Sequence, residues 1–235
     1  MPGRLYFRQL LSGRDFAVED QLAQQMVNFT YLIGDRDVGR AVVVDPAYAV
    51  QELVDAAAAD GMELVGVLAT HHHPDHVGGS MMGYGIEGVA RLLETVDVPI
   101  HVNRNEAEWV RRTTGVAPGD LVAHDSGDVI EVGGVTIRTL HTPGHTPGSQ
   151  CFLVDEMLVA GDTLFLEGCG RTDLPGSDPQ AMYESLRLLA SLPDDLALFP
   201  GHRYSAPSSA TMGAVKEMNP VLRVERREDW MTAWS

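Results

Sequence analysis

The sequence predicts an α/β fold, with residues 1–235 forming a single domain. Strand-like and helix-like segments alternate along the chain, the pattern of layered α/β architecture. An apolar content of 44% over 235 residues can fill one sizeable core. No solenoid-type repeat and no low-complexity linker demands a boundary.

In chain order, Phe29 to Ile33 and Arg40 to Val44 read as a hairpin across the turn residues Gly34-Asp35-Arg36-Asp37. Val50 to Ala59 reads as a helix closed by Asp60-Gly61, a glycine C-cap signal. Leu64 to Ala69 is a continuous apolar run, as expected of a buried strand. Gly88 to Glu94 is helical in pattern, Ile100 to Val102 strand-like, and Glu106 to Arg112 helical again. The second half is richer in strands. Asp128 to Val132 and Val135 to Leu140 flank Gly133-Gly134, a two-residue hairpin signal, and Gln150 to Val154 and Met157 to Ala160 flank Asp155-Glu156. A helix starts near Ser177, with Asp178 as cap and Pro179 in the first turn, and Met182, Leu186 and Leu189 share one apolar face. Leu196 to Phe199 is a last short strand.

Charge and cysteine usage narrow the setting. A formal net charge of −16 argues against a polyanion partner, because nucleic-acid binding needs clustered Lys and Arg. Bound divalent cations would offset part of that charge. Two cysteines, Cys151 and Cys169, make no disulfide framework and fit reduced thiols. Met1-Pro2-Gly3-Arg4 lacks the apolar stretch of a signal peptide, and no run approaches membrane-spanning length. The expectation is a soluble, cytoplasmic protein.

The chemistry concentrates between Thr70 and Gly79, which reads T-H-H-H-P-D-H-V-G-G. His71, His73, Asp75 and His76 fall on the loop after the buried apolar run, and imidazole and carboxylate are what zinc, iron and manganese accept. The run is internal, so it is not a tag remnant. A solvated His-rich loop is the plain alternative, and distant partners weaken it. His145 lies in T-P-G-H-T-P-G-S, Asp162 in A-G-D-T-L-F and His202 in F-P-G-H-R-Y, each in a turn beside a short apolar run. The weak match Gly83-Tyr84-Gly85-Ile86-Glu87-Gly88 to a dinucleotide fingerprint lacks the strand and helix context that motif needs.

Seven candidate ligands are too many for one tetrahedral ion and enough for two ions bridged by a carboxylate. Two metals ~3.5–4 Å apart lower the pKa of bound water, polarise a carbonyl or phosphoryl group and hold a developing oxyanion. Hydrolysis of an ester-like bond follows as the reaction class.

Together T-H-x-H-x-D-H, P-G-H-T-P-G, G-D-T-L-F and P-G-H resemble the metallo-β-lactamase superfamily, in its order, from about Leu5 to Leu222. That resemblance implies an αββα sandwich of two mixed sheets with the metals at one edge. It implies a first metal on His71, His73 and His145, a second on Asp75, His76 and His202, and Asp162 bridging. Gly161-Asp162-Thr163-Leu164-Phe165 followed by Gly168-Cys169-Gly170-Arg171-Thr172-Asp173 looks like the glyoxalase II and persulfide dioxygenase branch, whose enzymes act on small thiol derivatives. The portion after His202 is too short for the helical glutathione-binding domain of the larger glyoxalase II enzymes.

The favoured expectation is a thioester hydrolase of the hydroxyacylglutathione hydrolase type, with two divalent metals (Zn, or Fe or Mn). The runner-up is a dioxygenase oxidising a low-molecular-weight persulfide with a single Fe(II) on His71, His145 and Asp162, a two-His-one-carboxylate set. Leu5 to Leu10 and Gly168-Cys169-Gly170-Arg171-Thr172-Asp173 lean towards the dioxygenase, and Leu174 to Pro179 towards the compact hydrolases. A metal-binding protein with lapsed catalysis is a third class, against which the complete ligand set argues. The expected partner is a small-molecule thiol conjugate, with no nucleic acid, no membrane, and a homo-oligomer left open. Asp75 and Asp162 are the catalytic candidates, Asp75 as a proton acceptor. Arg171 is a candidate carboxylate clamp, with an ion pair to Asp173 as the equal alternative, and Tyr204 a candidate substrate contact. His72 is expected to turn away from the metals. His101, His124 and His141 are expected to be satisfied structural histidines, Cys169 a small buried thiol, and Trp109, Trp230 and Trp234 packing residues.

Overall fold

The computed structural model describes residues 3–234. Its strands are β1 (Leu5–Leu11), β2 (Phe29–Asp35), β3 (Arg40–Val44), β4 (Glu63–Leu68), β5 (Gly79–Met81), β6 (Tyr84–Ile86), β7 (Ile100–Asn103), β8 (Leu121–His124), β9 (Val129–Val132), β10 (Val135–His141), β11 (Gln150–Val154), β12 (Met157–Gly161), β13 (Ala197–Pro200) and β14 (Ala210–Thr211). Its helices are α1 (Gln21–Met26), α2 (Val50–Ala59), α3 (Pro74–Val77), α4 (Val89–Leu93), α5 (Ala107–Thr114), α6 (Pro179–Ala190), α7 (Met212–Met218) and α8 (Arg227–Trp234). One six-stranded sheet runs β1-β2-β3-β4-β7-β8, a second runs β14-β13-β12-β11-β10-β9, and β5-β6 is a separate hairpin. Both large sheets are mixed: β3, β4, β7 and β8 pair parallel in the first, and β12 and β13 in the second.

Side-chain alternation explains how the layers form. Every residue of β2 is buried, yet its faces do different work. Phe29, Tyr31 and Ile33 point into an inter-sheet core with Val42, Val44, Leu68, Ile137, Phe152 and Val159. Leu32 joins Val43, Val67, Leu53 and Leu92 on the opposite face, under α2 and α4. A third cluster packs Leu158, Ala160 and Leu198 of the second sheet against Met182, Leu186 and Leu189 of α6 and Trp230 of α8. The order of layers is helix, sheet, sheet, helix, the αββα sandwich implied by the sequence motifs. Asp178 caps α6, its carboxylate accepting from the N–H groups of Gln180 and Ala181.

Most expected elements appear within two residues of their sequence bounds. The β2–β3 hairpin pairs Tyr31 with Val44, and the Gly133-Gly134 turn pairs Val132 with Val135. The glycine-rich stretch after Met81 is the turn and second strand of the β5–β6 hairpin, not a phosphate loop. Among the described residues no helix is long and apolar enough to cross a membrane.

Candidate metal centre

The motif residues come from strand ends that share one edge of the sandwich. His71 to His76 follow β4 and enter α3; His145 follows β10, Asp162 stands directly after β12, and His202 follows β13. His71, Asp75, His76, His145 and His202 are buried. Distant turns thus meet because four strands end together.

Two triads result. His71 Nε2 lies 3.1 Å from His73 Nδ1, which lies 3.0 Å from His145 Nε2. His76 Nε2 lies 3.1 Å from His202 Nε2, and Asp75 Oδ2 lies 3.6 and 3.4 Å from those two atoms. Asp162 sits between them. Its Oδ2 is 3.3 Å from His202 and 3.8 Å from His145, and its Oδ1 is 3.4 Å from His76.

The hydrogen bonds aim the imidazoles. His71 Nδ1 meets Thr70 Oγ1, whose proton goes to Asp45. His76 Nδ1 meets Asp45 Oδ2 at 2.9 Å, His145 Nδ1 the Arg171 carbonyl at 2.8 Å, and His202 Nδ1 the Met26 carbonyl at 2.7 Å. In the neutral ring each bond takes the Nδ1 proton and leaves the Nε2 lone pair facing the centre, as a ligating histidine requires. Donors spaced 3.0–3.1 Å apart approach the roughly 3.3 Å edge of a tetrahedron with metal–nitrogen bonds of about 2.0 Å. Asp162 Oδ1 is buried without a hydrogen-bond partner, an expensive state for a carboxylate that a cation would relieve. It occupies the space a Cβ on Gly201 would need. The donor set therefore fits divalent metals.

Electrostatics divide the triads. Burial, reinforced by neighbouring imidazoles, pushes His71 well below its usual range and His73 to about 3. Burial likewise lowers His145. Burial alone would lower His76 too, but the carboxylates of Asp162, Asp75 and Asp45 outweigh it and lift the imidazole to about 10. His202 is raised against its burial, chiefly by Asp162. Burial opposes ionisation of Asp162 and Asp75, yet the facing histidines hold both below the usual carboxylate range. The first triad is a neutral nitrogen donor set; the second is a charge-paired one.

Other residues position the ligands, and the sequence offered little sign of them. Asp45 adopts a left-handed backbone (φ 52°) just past β3 and accepts from Thr70 N and Oγ1 as well as His76. An acidic residue directly after a buried valine run was the available signal. Asn28 Nδ2 donates to Asp75 Oδ2 at 3.1 Å, and Tyr48 donates to Asn28. Glu106 is fully buried: one oxygen accepts from the His72 N–H at 2.8 Å and His72 Nδ1 at 2.6 Å, the other from the Gly148 N–H at 2.7 Å.

His72 points to Glu106 rather than into either donor triad, and stacks on Trp109 at 4.9 Å. His101 pairs with His124 at 2.8 Å, and His141 with the Pro147 carbonyl. Trp230 stacks on Trp234 at 4.6 Å. A cavity of about 720 Å³ opens from the ligands and is lined by Phe165, Cys169, Arg171 and Tyr204 among others. Tyr204 stacks on His202 at 4.8 Å. Arg171 reaches the cavity wall, but its Nε and Nη2 are both bonded to Asp173 at 2.8 Å. Cys169 lies in the wall, its thiol pushed up to about 12 by burial.

A four-layer sandwich with a two-triad histidine and carboxylate edge defines a class of metal-dependent enzyme. The chain belongs to the metallo-beta-lactamase superfamily, whose family model matches residues 25–202. A probable polyketide biosynthesis zinc-dependent hydrolase, BaeB of Bacillus velezensis, is 30% identical over 88% of this chain and 87% of its own. A hydroxyacylglutathione hydrolase of Rhodopseudomonas palustris (strain HaA2) is 37% identical over 86% of this chain and 72% of its own. Among solved structures, ETHE1 from Myxococcus xanthus aligns over 97% of this chain and 89% of its own, with a TM-score of 0.79 and 28% identity. These likenesses place the chain in the glyoxalase II and ETHE1-like branch.

Proposed function

We propose that the protein hydrolyses a small thioester, as hydroxyacylglutathione hydrolases do, releasing a thiol and a hydroxy acid such as lactate. One observation carries the proposal: two complete donor triads share Asp162, and every Nε2-facing imidazole has its other nitrogen tied down. Divalent metals held by His71, His73 and His145, by Asp75, His76 and His202, and jointly by Asp162 would make water acidic enough to attack and would polarise the thioester carbonyl.

The chain's own groups supply the rest. Asp75, ionised and oriented by Asn28, accepts the proton of the attacking water. A C–O bond forms at the acyl carbon, the C–S bond breaks, and the leaving thiolate takes up a proton. Burial beside Asp162 and Asp75 raises Tyr204 above the ordinary phenol range, so it stays a hydrogen-bond donor at the cavity rim. Phe165 packs edge-on against both Tyr204 and His202 in the cavity wall.

A second reading has its own support, the likeness to ETHE1 over nearly the whole chain. A mononuclear Fe(II) persulfide dioxygenase would use His71, His145 and Asp162. Protein loaded anaerobically with Fe(II), then mixed with a low-molecular-weight persulfide in aerated buffer, separates the two. No oxygen uptake, together with thioester cleavage by zinc- or manganese-loaded protein, is the expected result; rapid iron- and persulfide-dependent uptake would reverse the order. His202→Ala divides them again, with a fall of about 100-fold or more expected for a dinuclear hydrolase and little change for a mononuclear oxygenase.

A further inference from the structure

We infer that the thiol carrier of the substrate is an uncharged, extended chain rather than a tripeptide thiol with free carboxylates, an inference that rests on the thioester hydrolase reading. Outside the ligand set, the cavity wall is apolar over most of its length. Met26, Met81, Met82, Phe165, Leu174 and Pro175 line it. Thioethers and an aromatic ring bind methylene and amide-bearing chains by dispersion and burial, and offer nothing to an anion.

Charge in the wall points the same way. Beyond the ligands, the ionisable side chains lining the cavity among the described residues are Arg171, Glu167, Cys169 and Tyr204, the last a phenol raised above its ordinary range and so uncharged. The Cys169 thiol is held protonated by burial. The Nε–Nη2 side of Arg171, the side that grips a carboxylate with two parallel bonds, already grips Asp173. Arg171, Asp173 and Glu167 together carry one net negative charge, so an incoming carboxylate must displace one anion while facing another. The chain's single lysine, Lys216, bonds Asp194 and the Leu192 carbonyl and lines no part of the cavity.

The apolar surface also continues past the mouth. At the tip of the β5–β6 hairpin Met82 is 78% and Tyr84 65% exposed, and Tyr204 across the ligands is 55% exposed. Tyr84 borders a further depression lined also by Asp20, Gln21, Leu22 and Gln25, whose one carboxylate, Asp20, would repel an anionic carrier. A carrier longer than the cavity would lie along this ledge, past Tyr84 towards Leu22.

The experiment compares one acyl group on two carriers. Zinc-loaded protein is given S-lactoyl-N-acetylcysteamine and S-lactoylglutathione. The neutral ester should show at least a tenfold higher kcat/KM, mainly through KM, and the gap should widen at low ionic strength. A glutathione ester cleaved as well or better would overturn the carrier inference and leave the hydrolase reading intact. Cleavage of neither ester by metal-replete protein would remove the hydrolase reading and the inference with it. Asp173→Asn, at an exposed position, frees Arg171 and should raise kcat/KM for the glutathione ester at least threefold relative to the neutral one; no relative gain would overturn the electrostatic argument.

Discussion

Asp162 stands where the two triads meet, and the orphaned Oδ1 leaves its carboxylate only half satisfied by protein groups. Removing it would separate the triads and leave His76 and His202 without the foremost of the carboxylates that raise them. Asp162→Ala should abolish turnover by hydrolase or oxygenase chemistry, a fall beyond about 10³-fold. Metal content after dialysis should drop with it. A variant that keeps its metal and its activity would sink the ligand assignment. Asp45 works differently, since it touches no donor atom that faces the centre. Its left-handed backbone stores strain of order 1–2 kcal/mol, compensated by three hydrogen bonds to Thr70 and His76.

Glu106, at the start of α5, joins two ligand loops whose histidines His73 and His145 are 72 residues apart in sequence. One carboxylate binds the loop after β4 through His72 and the turn after β10 through Gly148. That turn must present glycine, because a Cβ at 148 would lie 2.7 Å from Glu106 Oε2. Glu106→Ala would orphan three buried donors at once, for a destabilisation of about 3–5 kcal/mol and a loss of metal affinity of roughly 10–100-fold. Denaturant unfolding and a chelator competition measure the two effects; normal metal affinity in a folded variant would show that the clamp does not position ligands. The sequence shows why such a residue was missed. His71, His73, Asp75, His76, His145, Asp162 and His202 are legible because ligand chemistry leaves short motifs. A glutamate opening a helix looks like any other, and its partners are a backbone N–H and an unremarkable glycine. Strands β2, β3, β4, β10 and β11 were legible because a buried strand needs a continuous or alternating apolar run. The β5–β6 hairpin, β8, β14, α1, α7 and α8 were not, since each is short and takes its order from packing on the sandwich rather than from its own periodicity.

The sandwich binds its layers through three apolar clusters, and the inter-sheet core between β1–β4 and β9–β12 is the one both sheets share. Where β7 and β8 approach β9 that core gives way to imidazoles. His101 and His124 border an opening of about 400 Å³ whose other wall holds Ile130 and Val132. Burial, aided by the adjacent His124, lowers His101 to about 4. The folded state thus refuses a proton that the unfolded chain takes near the ordinary value of 6.5. The contribution is complete above about pH 6.5 and is lost as pH falls towards 4, by up to about 3 kcal/mol. His101→Gln keeps a polar partner for His124 but cannot titrate. Metal-free parent and variant should converge in stability as acid is added, the variant losing roughly 1–3 kcal/mol less between pH 7 and pH 4.5 in denaturant unfolding. The rest of the chain is common to both proteins and cancels in that difference. Identical acid slopes would mean that His101 gains its proton without loosening the two sheets, and acid sensitivity would then have to originate at the ligand edge.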